Sequence, residues 1–169
     1  MKSFVLAEKE STTVGRVFYG PYLRVLHQLF GLYGPFEIFP EPYKSIDSVV
    51  LLTVAIGYRP VLFCDIKAPA YLPVLSRRRE AHSQIESRYH KVQSFITPRV
   101  PSISAFGKQM AFYNFVPDTD TVTLFPLETP FVNGDAPEEQ WRYNVLEEEG
   151  AAQLRRLVDE VKEMCRDFH

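Results

Sequence analysis

Residues 48–67, SVVLLTVAIGYRPVLFCDIK, decide how the rest of the chain is read. The runs 48–56 (SVVLLTVAI) and 60–66 (PVLFCDI) are β-branched and almost continuously apolar, and Gly57-Tyr58-Arg59 between them is a turn-length gap with a glycine. Two such runs make a hairpin, and because neither alternates with polar residues both are expected to be central strands covered on two faces. An antiparallel pairing sets the start of the first strand beside the end of the second. Asp47, just ahead of the first run, is therefore expected near Asp65 and Lys67. Asp65 and Lys67 stand two apart on one strand, so their side chains leave the same face.

Working outward, Pro69 and Pro73 close this unit, and from about Ser76 to Phe95 the period changes to 3.6. Ala81, Ile85, Tyr89 and Val92 then form one apolar stripe, which predicts a helix packed on the hairpin. Pro98 and Pro101 break it. ISAF (103–106), MAFYNF (110–115) and VTLF (122–125) read as further strands, with turns at Gly107-Lys108-Gln109 and at Pro117-Asp118-Thr119-Asp120. The stretch 126–143 is loop-like. A last helix is expected from about Val145 to Asp167, with Leu154, Leu157, Val158, Val161, Cys165 and Phe168 on one face, Asn144 as N-cap and Glu147–Glu149 in the first turn. Upstream, 19–33 places Leu23, Leu26, Phe30 and Tyr33 at helical spacing, Gly34-Pro35 ends that helix, and FEIF (36–39) is a short strand. The order α-β-β-β-α-β-β-(β)-α defines an α+β fold, a mixed β-sheet flanked by helices.

A chain of 169 residues with 46% hydrophobic composition supports one domain, 1–169, with a core of its own. Nineteen Lys+Arg against twenty-one Asp+Glu exclude a polycationic nucleic-acid coater. The charge is segregated, however: 76–99 holds six basic residues against two acidic ones, and 135–169 ten acidic against five basic. Any surface that touches a phosphate backbone is thus expected on the 76–95 helix, where Arg77, Arg88 and Lys91 flank the apolar stripe beside Gln84. Cys64 and Cys165, with no CxxC, leave no disulfide framework or cysteine zinc site. The histidines show no ligand spacing, and Trp141 reads as a packing anchor. The apolar run near the N-terminus is shorter than an h-region of about 7–15 residues, and no stretch reaches the roughly 18 apolar residues of a membrane span. The expectation is a cytoplasmic or nuclear protein with no signal peptide and no membrane partner.

An aspartate that ends an apolar run is costly to desolvate unless a cation or hydrogen-bond donors meet it. Two converging carboxylates, Asp47 and Asp65, are a minimal protein ligand set for Mg²⁺, which prefers oxygen and keeps several waters. Lys67 at their edge could position or help deprotonate such a water while the metal offsets charge on a scissile phosphate. No Walker A loop, HExxH, GxSxG or GxGxxG competes with this reading. Acid-x-Lys is itself unspecific, and a second copy, Glu160-Val161-Lys162, falls in the C-terminal helix. The bland alternative is a same-face ion pair worth about 0–1 kcal/mol if exposed, with Asp47 a turn residue and the arginines a solvated helix face.

Asp47, then Asp65-Ile66-Lys67 on the second arm of a hairpin, then a helix, resembles the PD-(D/E)xK nuclease superfamily. PVLFCDIKAP, SRRREAHSQIESR, ISAFG and NVLEEEG also resemble a set of proteins of mushroom-forming fungi that carry this core. The resemblance covers about residues 20–165. It implies a restriction-endonuclease-like α-β-β-β-α-β core at about 20–125, a C-terminal amphipathic helix at about 145–167, and hydrolysis of nucleic-acid phosphodiesters with Mg²⁺ or Mn²⁺. It further implies Asp47 and Asp65 as metal ligands, Lys67 as the residue serving the water, and Gln84 as a supporting catalytic residue on the helix, with Arg77, Arg88 and Lys91 steadying the backbone. The sequence departs from the pattern in three places. Ile46-Asp47 replaces Pro-Asp, Tyr89 follows Gln84 at five residues rather than four, and the first helix lacks a glutamate, for which Glu37 or Glu41 could substitute. The same departures suit a catalytically inactive nuclease-like fold that binds nucleic acid or a protein partner, a homodimer included. A third reading is a host-interaction or defence protein that binds through exposed Tyr and Phe residues.

Overall fold

A computed structural model describes residues 2–41, 50–92, 94–125, 129–130 and 135–168. The decisive hairpin is present as β2 (Val50–Ile56) and β3 (Arg59–Lys67), joined by Gly57-Tyr58, whose φ values of 50° and 67° are those of a type I′ turn. Glycine reaches this conformation freely; Tyr58 is held in it by the turn and projects into solvent. Strand β1 (Glu37–Glu41) pairs antiparallel with β2 at the sheet edge, where the missing N–H of Pro40 is tolerated. On its other side β3 lies parallel to β4 (Val100–Phe106). Parallel neighbours need a long crossover, and helix α3, the chain's third helix (Leu75–Lys91), supplies it. Strands β5 (Gln109–Val116), β6 (Thr121–Leu124) and β7 (Thr129–Pro130) continue antiparallel in chain order, and β8 (Tyr143–Asn144) adds to β5. The fold is α+β: a mixed sheet flanked by helices, with the order α-β-β-β-α-β running from α2 (Tyr19–Phe30) to β4.

Alternation along the strands sorts the sheet into two cores. Helices α1 (Lys2–Glu10), α2 and α4 (Glu148–Met164) cover one face, where Phe18, Leu26, Leu62, Ile66, Phe112, Leu157 and Val161 pack together. Helix α3 covers the other, where Ala81, Ile85 and Tyr89 meet Leu51, Phe63, Phe106, Tyr113 and Trp141. Ala81, Ile85 and Tyr89 of the stripe read from sequence are therefore on the buried face of α3, whereas the helix stops at Lys91 and Val92, in extended conformation, lies beyond it. Because both faces are covered, β4 is buried throughout and β3 from Val61 to Lys67. Each large apolar side chain so enclosed contributes about 1.5–3 kcal/mol relative to exposure.

The element ends differ from the sequence reading where packing overrides local signals. Helix α1 was not foreseen, since only Phe4 and Ala7 of its nine residues are buried and no stripe stands out. Asn144 is not the N-cap of α4: it sits in β8, its Oδ1 accepts from the Leu146 N–H and its Nδ2 donates to Glu147 Oε1, both at 3.0 Å, and Glu147 takes the cap position. Gly150 explains the shift. A Cβ there would lie 2.0 Å from the Asn144 carbonyl oxygen, so the first turn of α4 presses directly on β8.

The C-terminal end of β3 is braced from the α2 side. A Cβ on Gly15 would come within 3.0 Å of the Lys67 carbonyl carbon and the Ala68 nitrogen. Gly107, at φ 61°, donates its N–H to the Lys67 carbonyl at 2.9 Å and accepts from the Tyr22 hydroxyl at 2.8 Å. The backbone that carries Asp65 and Lys67 is thus held by two close glycine contacts.

Candidate active site

The register places Glu41, Leu51, Asp65 and Ser104 in one row across β1, β2, β3 and β4. The face of this row is the one under α3, because Leu51 belongs to the α3 core. Asp65 and Lys67 leave the same face, as their spacing predicts, and they are deeply enclosed, with side chains only 9% and 5% exposed. Lys67 Nζ donates to Asp65 Oδ2, while Oδ1 has no hydrogen-bond partner among the described residues. The buried charge is therefore compensated on one oxygen only.

Helix α3 brings Gln84 and Arg88, one turn apart, over this strand. Together with Asp65, Leu51, Phe63 and Ser102 they line a narrow cleft of about 10 Å³, room for about one water. Gln84 Nε2 donates to Glu80 Oε1 at 3.4 Å, and Gln84 Oε1, also buried, has no partner among the described residues. Two residues that line one cleft, from different elements, thus each carry a buried acceptor oxygen without a partner among the described residues. Arg88 lies over the Phe63 ring, its Cζ 5.9 Å from the centroid, and its Nη1 donates to Glu41 Oε2. The other carboxylate oxygen, Glu41 Oε1, accepts from Thr53 Oγ1 at 2.6 Å.

Below the cleft, His82 stacks on Trp141 at 5.2 Å and meets the Tyr113 edge at 5.5 Å. Burial lowers its pKa to about 4, with the Lys67 charge adding a small push the same way and a Gln140 hydrogen bond and Asp135 opposing. His82 is thus a neutral core ring at physiological pH. Burial first, then the charges of Tyr89 and Asp65, pushes the Tyr113 phenol well above its ordinary value. Trp141 Nε1 donates to Ser104 Oγ at 3.2 Å and the Tyr89 hydroxyl to Ser102 Oγ at 2.7 Å, so the serines of β4 satisfy the rings above them.

Of the residues expected from sequence, Asp65, Lys67, Gln84 and Arg88 are gathered in one place. Asp47 lies outside the described residues. Arg77 stands two turns before Gln84, about 10 Å along the helix, with its Cζ 4.7 Å over the Tyr71 ring and its Nη1 3.1 Å from Glu80. Lys91 is exposed at the last residue of α3. Arg78 leaves the basic surface altogether: it is buried, donates to the carbonyls of Ala136 and Leu72 at 2.6 Å each, and ties those segments to α3. Of the two glutamates considered as substitutes, Glu37 is exposed and Glu41 is engaged by Thr53 and Arg88. The Glu41–Thr53–Arg88 cluster was not foreseen. Its signal in the sequence was Thr53, the one polar side chain in the run 49–56.

Among the described residues no group of three His, Cys, Asp or Glu is placed to hold a metal ion, and no helix is long and apolar enough to cross a membrane. Compared with models of protein families, with curated proteins and with solved structures, the chain matches none.

Proposed function

We propose that the chain is a metal-dependent nucleic-acid phosphodiester hydrolase of PD-(D/E)xK type that works in the cytoplasm or nucleus. The observation that carries this reading is the pair of buried oxygens, Asp65 Oδ1 and Gln84 Oε1, without donors among the described residues and lining one cleft beside Lys67 and Arg88. Hard oxygen donors of this kind fit Mg²⁺ or Mn²⁺. Asp65 would hold the ion with Gln84 close by and Asp47 as the further carboxylate, and the ion would supply charge stabilisation to the phosphate and a more acidic water. Lys67, anchored on Asp65 Oδ2, would keep its ammonium beside the acid, where it can donate to a water or to a phosphate oxygen. Arg88 contributes a planar donor for a non-bridging phosphate oxygen. The apolar walls, Leu51, Phe63 and Ile85, keep bulk water away and so strengthen each of these interactions.

The test is calorimetric titration of Mn²⁺ into the wild type and into Asp65→Asn, which keeps the shape and an acceptor for Lys67, followed by plasmid and single-strand cleavage with the same samples. The expected result is binding and cleavage by the wild type and neither by the variant. A wild type that binds no manganese and cuts nothing overturns the proposal. One observation favours a second reading, a catalytically inactive nuclease-like module that binds nucleic acid or a protein partner: Lys67 already closes on Asp65 as a buried pair. That reading predicts nucleic-acid binding with no dependence on divalent metal.

A further inference from the structure

We propose that Glu41 and Thr53 are positioning residues that fix the Arg88 guanidinium at the Asp65 cleft as the contact for a phosphate of a nucleic-acid strand; the inference rests on the hydrolase reading of that cleft. Glu41 is held at both carboxylate oxygens, by Thr53 Oγ1 at 2.6 Å and by Arg88 Nη1. Thr53 is 2% exposed, and it carries the only hydroxyl in an otherwise apolar strand segment. Its hydroxyl points to the α3 face and is spent on Glu41. The carboxylate stands in the same cross-strand row as Asp65, so the clamp ties a helix residue to the part of the sheet that holds the acid.

The charges of Asp65, Lys67, Glu41 and Arg88 sum to zero, so the cluster is no general trap for anions. What Glu41 adds is direction. An arginine side chain carries about 2 kcal/mol of rotamer entropy, and a guanidinium held in place before a phosphate arrives spares part of that cost at the moment of binding. A carboxylate serving only to neutralise Arg88 at a sheet edge needs no second anchor from a buried hydroxyl.

Binding of a fluorescein-labelled mixed-sequence oligonucleotide, single-stranded and duplex, is measured by anisotropy in calcium for the wild type, Thr53→Val, Thr53→Ser, Glu41→Gln, Arg88→Ala and Thr53→Val with Arg88→Ala. Thr53→Val removes the hydroxyl at nearly constant volume. It is expected to weaken binding about threefold to tenfold, the loss of one buried hydrogen bond. Thr53→Ser restores most of it, and Glu41→Gln, which leaves one acceptor oxygen for two donors and removes the charge facing Arg88, weakens binding at least as much while remaining folded. In the Arg88→Ala background Thr53→Val is expected to cost nothing more, since its effect passes through Arg88. Wild-type affinity in Thr53→Val and Glu41→Gln, or an undiminished further loss in the double variant, overturns the inference. So does a wild type that binds neither oligonucleotide. A wild type that cuts and whose Thr53→Val variant cuts and binds equally well sinks this inference alone; Arg88-dependent binding that follows Thr53, without any cleavage, sinks the hydrolase reading alone.

Discussion

The two faces of the sheet are packed on opposite principles. Against α1, α2 and α4 the sheet presents Leu62, Ile66, Ile103 and Phe112, and the core there is almost wholly hydrocarbon and aromatic ring. Against α3 the same strands present Thr53, Asp65, Lys67, Ser102 and Ser104, all buried, and α3 adds buried Arg78 and His82. Burial of polar groups costs free energy unless each finds a partner. The α3 face meets that requirement for Lys67, Arg78, Thr53 and both serines, and among the described residues leaves open Asp65 Oδ1, Gln84 Oε1 and the Tyr113 hydroxyl. One face is packed almost wholly from apolar groups; the other buries a polar constellation.

The sharpest way to break this comparison is to remove the buried pair. Asp65→Leu or Lys67→Met alone strands the opposite charge under α3 and is expected to cost about 3–5 kcal/mol in urea unfolding, whereas the two changes together are expected to be neutral or to gain about 1–4 kcal/mol. A double variant as unstable as the single ones would show that the pair serves stability, and the contrast between the faces would fall. His82 gives the next largest effect. Its pKa is about 4 in the folded chain against 6.5 for an ordinary histidine. The unfolded chain therefore binds more protons below pH 6.5, and the stability that neutral burial supplies is complete above that value and lost as the pH falls toward 4, about 3 kcal/mol in all. His82→Phe should flatten this part of the stability profile, as read by urea unfolding across the acid range.

Gly107 tests the brace behind the site. A Cβ there would lie 2.8 Å from Pro69 Cγ on a backbone at φ 61°, so Gly107→Ala is expected to cost about 1–3 kcal/mol and lower the melting temperature. The smallest effect belongs to the apolar face. Glu147 occupies the N-cap position of α4 without a side-chain cap bond, and Glu147→Ser, which trades the exposed bond from Asn144 Nδ2 for a cap on the helix N–H groups, should raise stability by at most about 0.5 kcal/mol while leaving oligonucleotide binding unchanged. A change in binding from that substitution would couple the two faces and blur their division.

The hairpin, the α3 stripe and the last helix were legible because their signals are local. A period of 2 or 3.6 is set by the backbone itself, and two β-branched runs around Gly57-Tyr58 leave little else to form. Helix α1 was not legible, since its two buried residues acquire their meaning only when Phe4 meets Phe18 and Tyr22. Asn144 looked like a cap by composition, but Gly150 lets α4 press against β8, and the close approach moved the cap to Glu147. At the site, Asp65 and Lys67 could be placed on one face from their spacing, and Gln84 and Arg88 on one helix flank. That Arg78, among the same arginines, turns inward to the carbonyls of Leu72 and Ala136 depends on contacts 6 and 58 residues away in sequence.

What the sequence by itself determined is therefore the hairpin, the helices α3 and α4, their order and the strand that carries the acid and the lysine, because backbone periodicity and turn stereochemistry act over a few residues. Only the tertiary structure decided which polar side chains share a cleft. Glu41 meets Arg88 across 47 positions and Thr53 across 12, and Asp65 Oδ1 and Gln84 Oε1 come to line one space. Those meetings follow from strand register and from the parallel crossover that lays α3 over β3, and register is fixed by the packing of whole faces, a property that no short stretch of the chain contains.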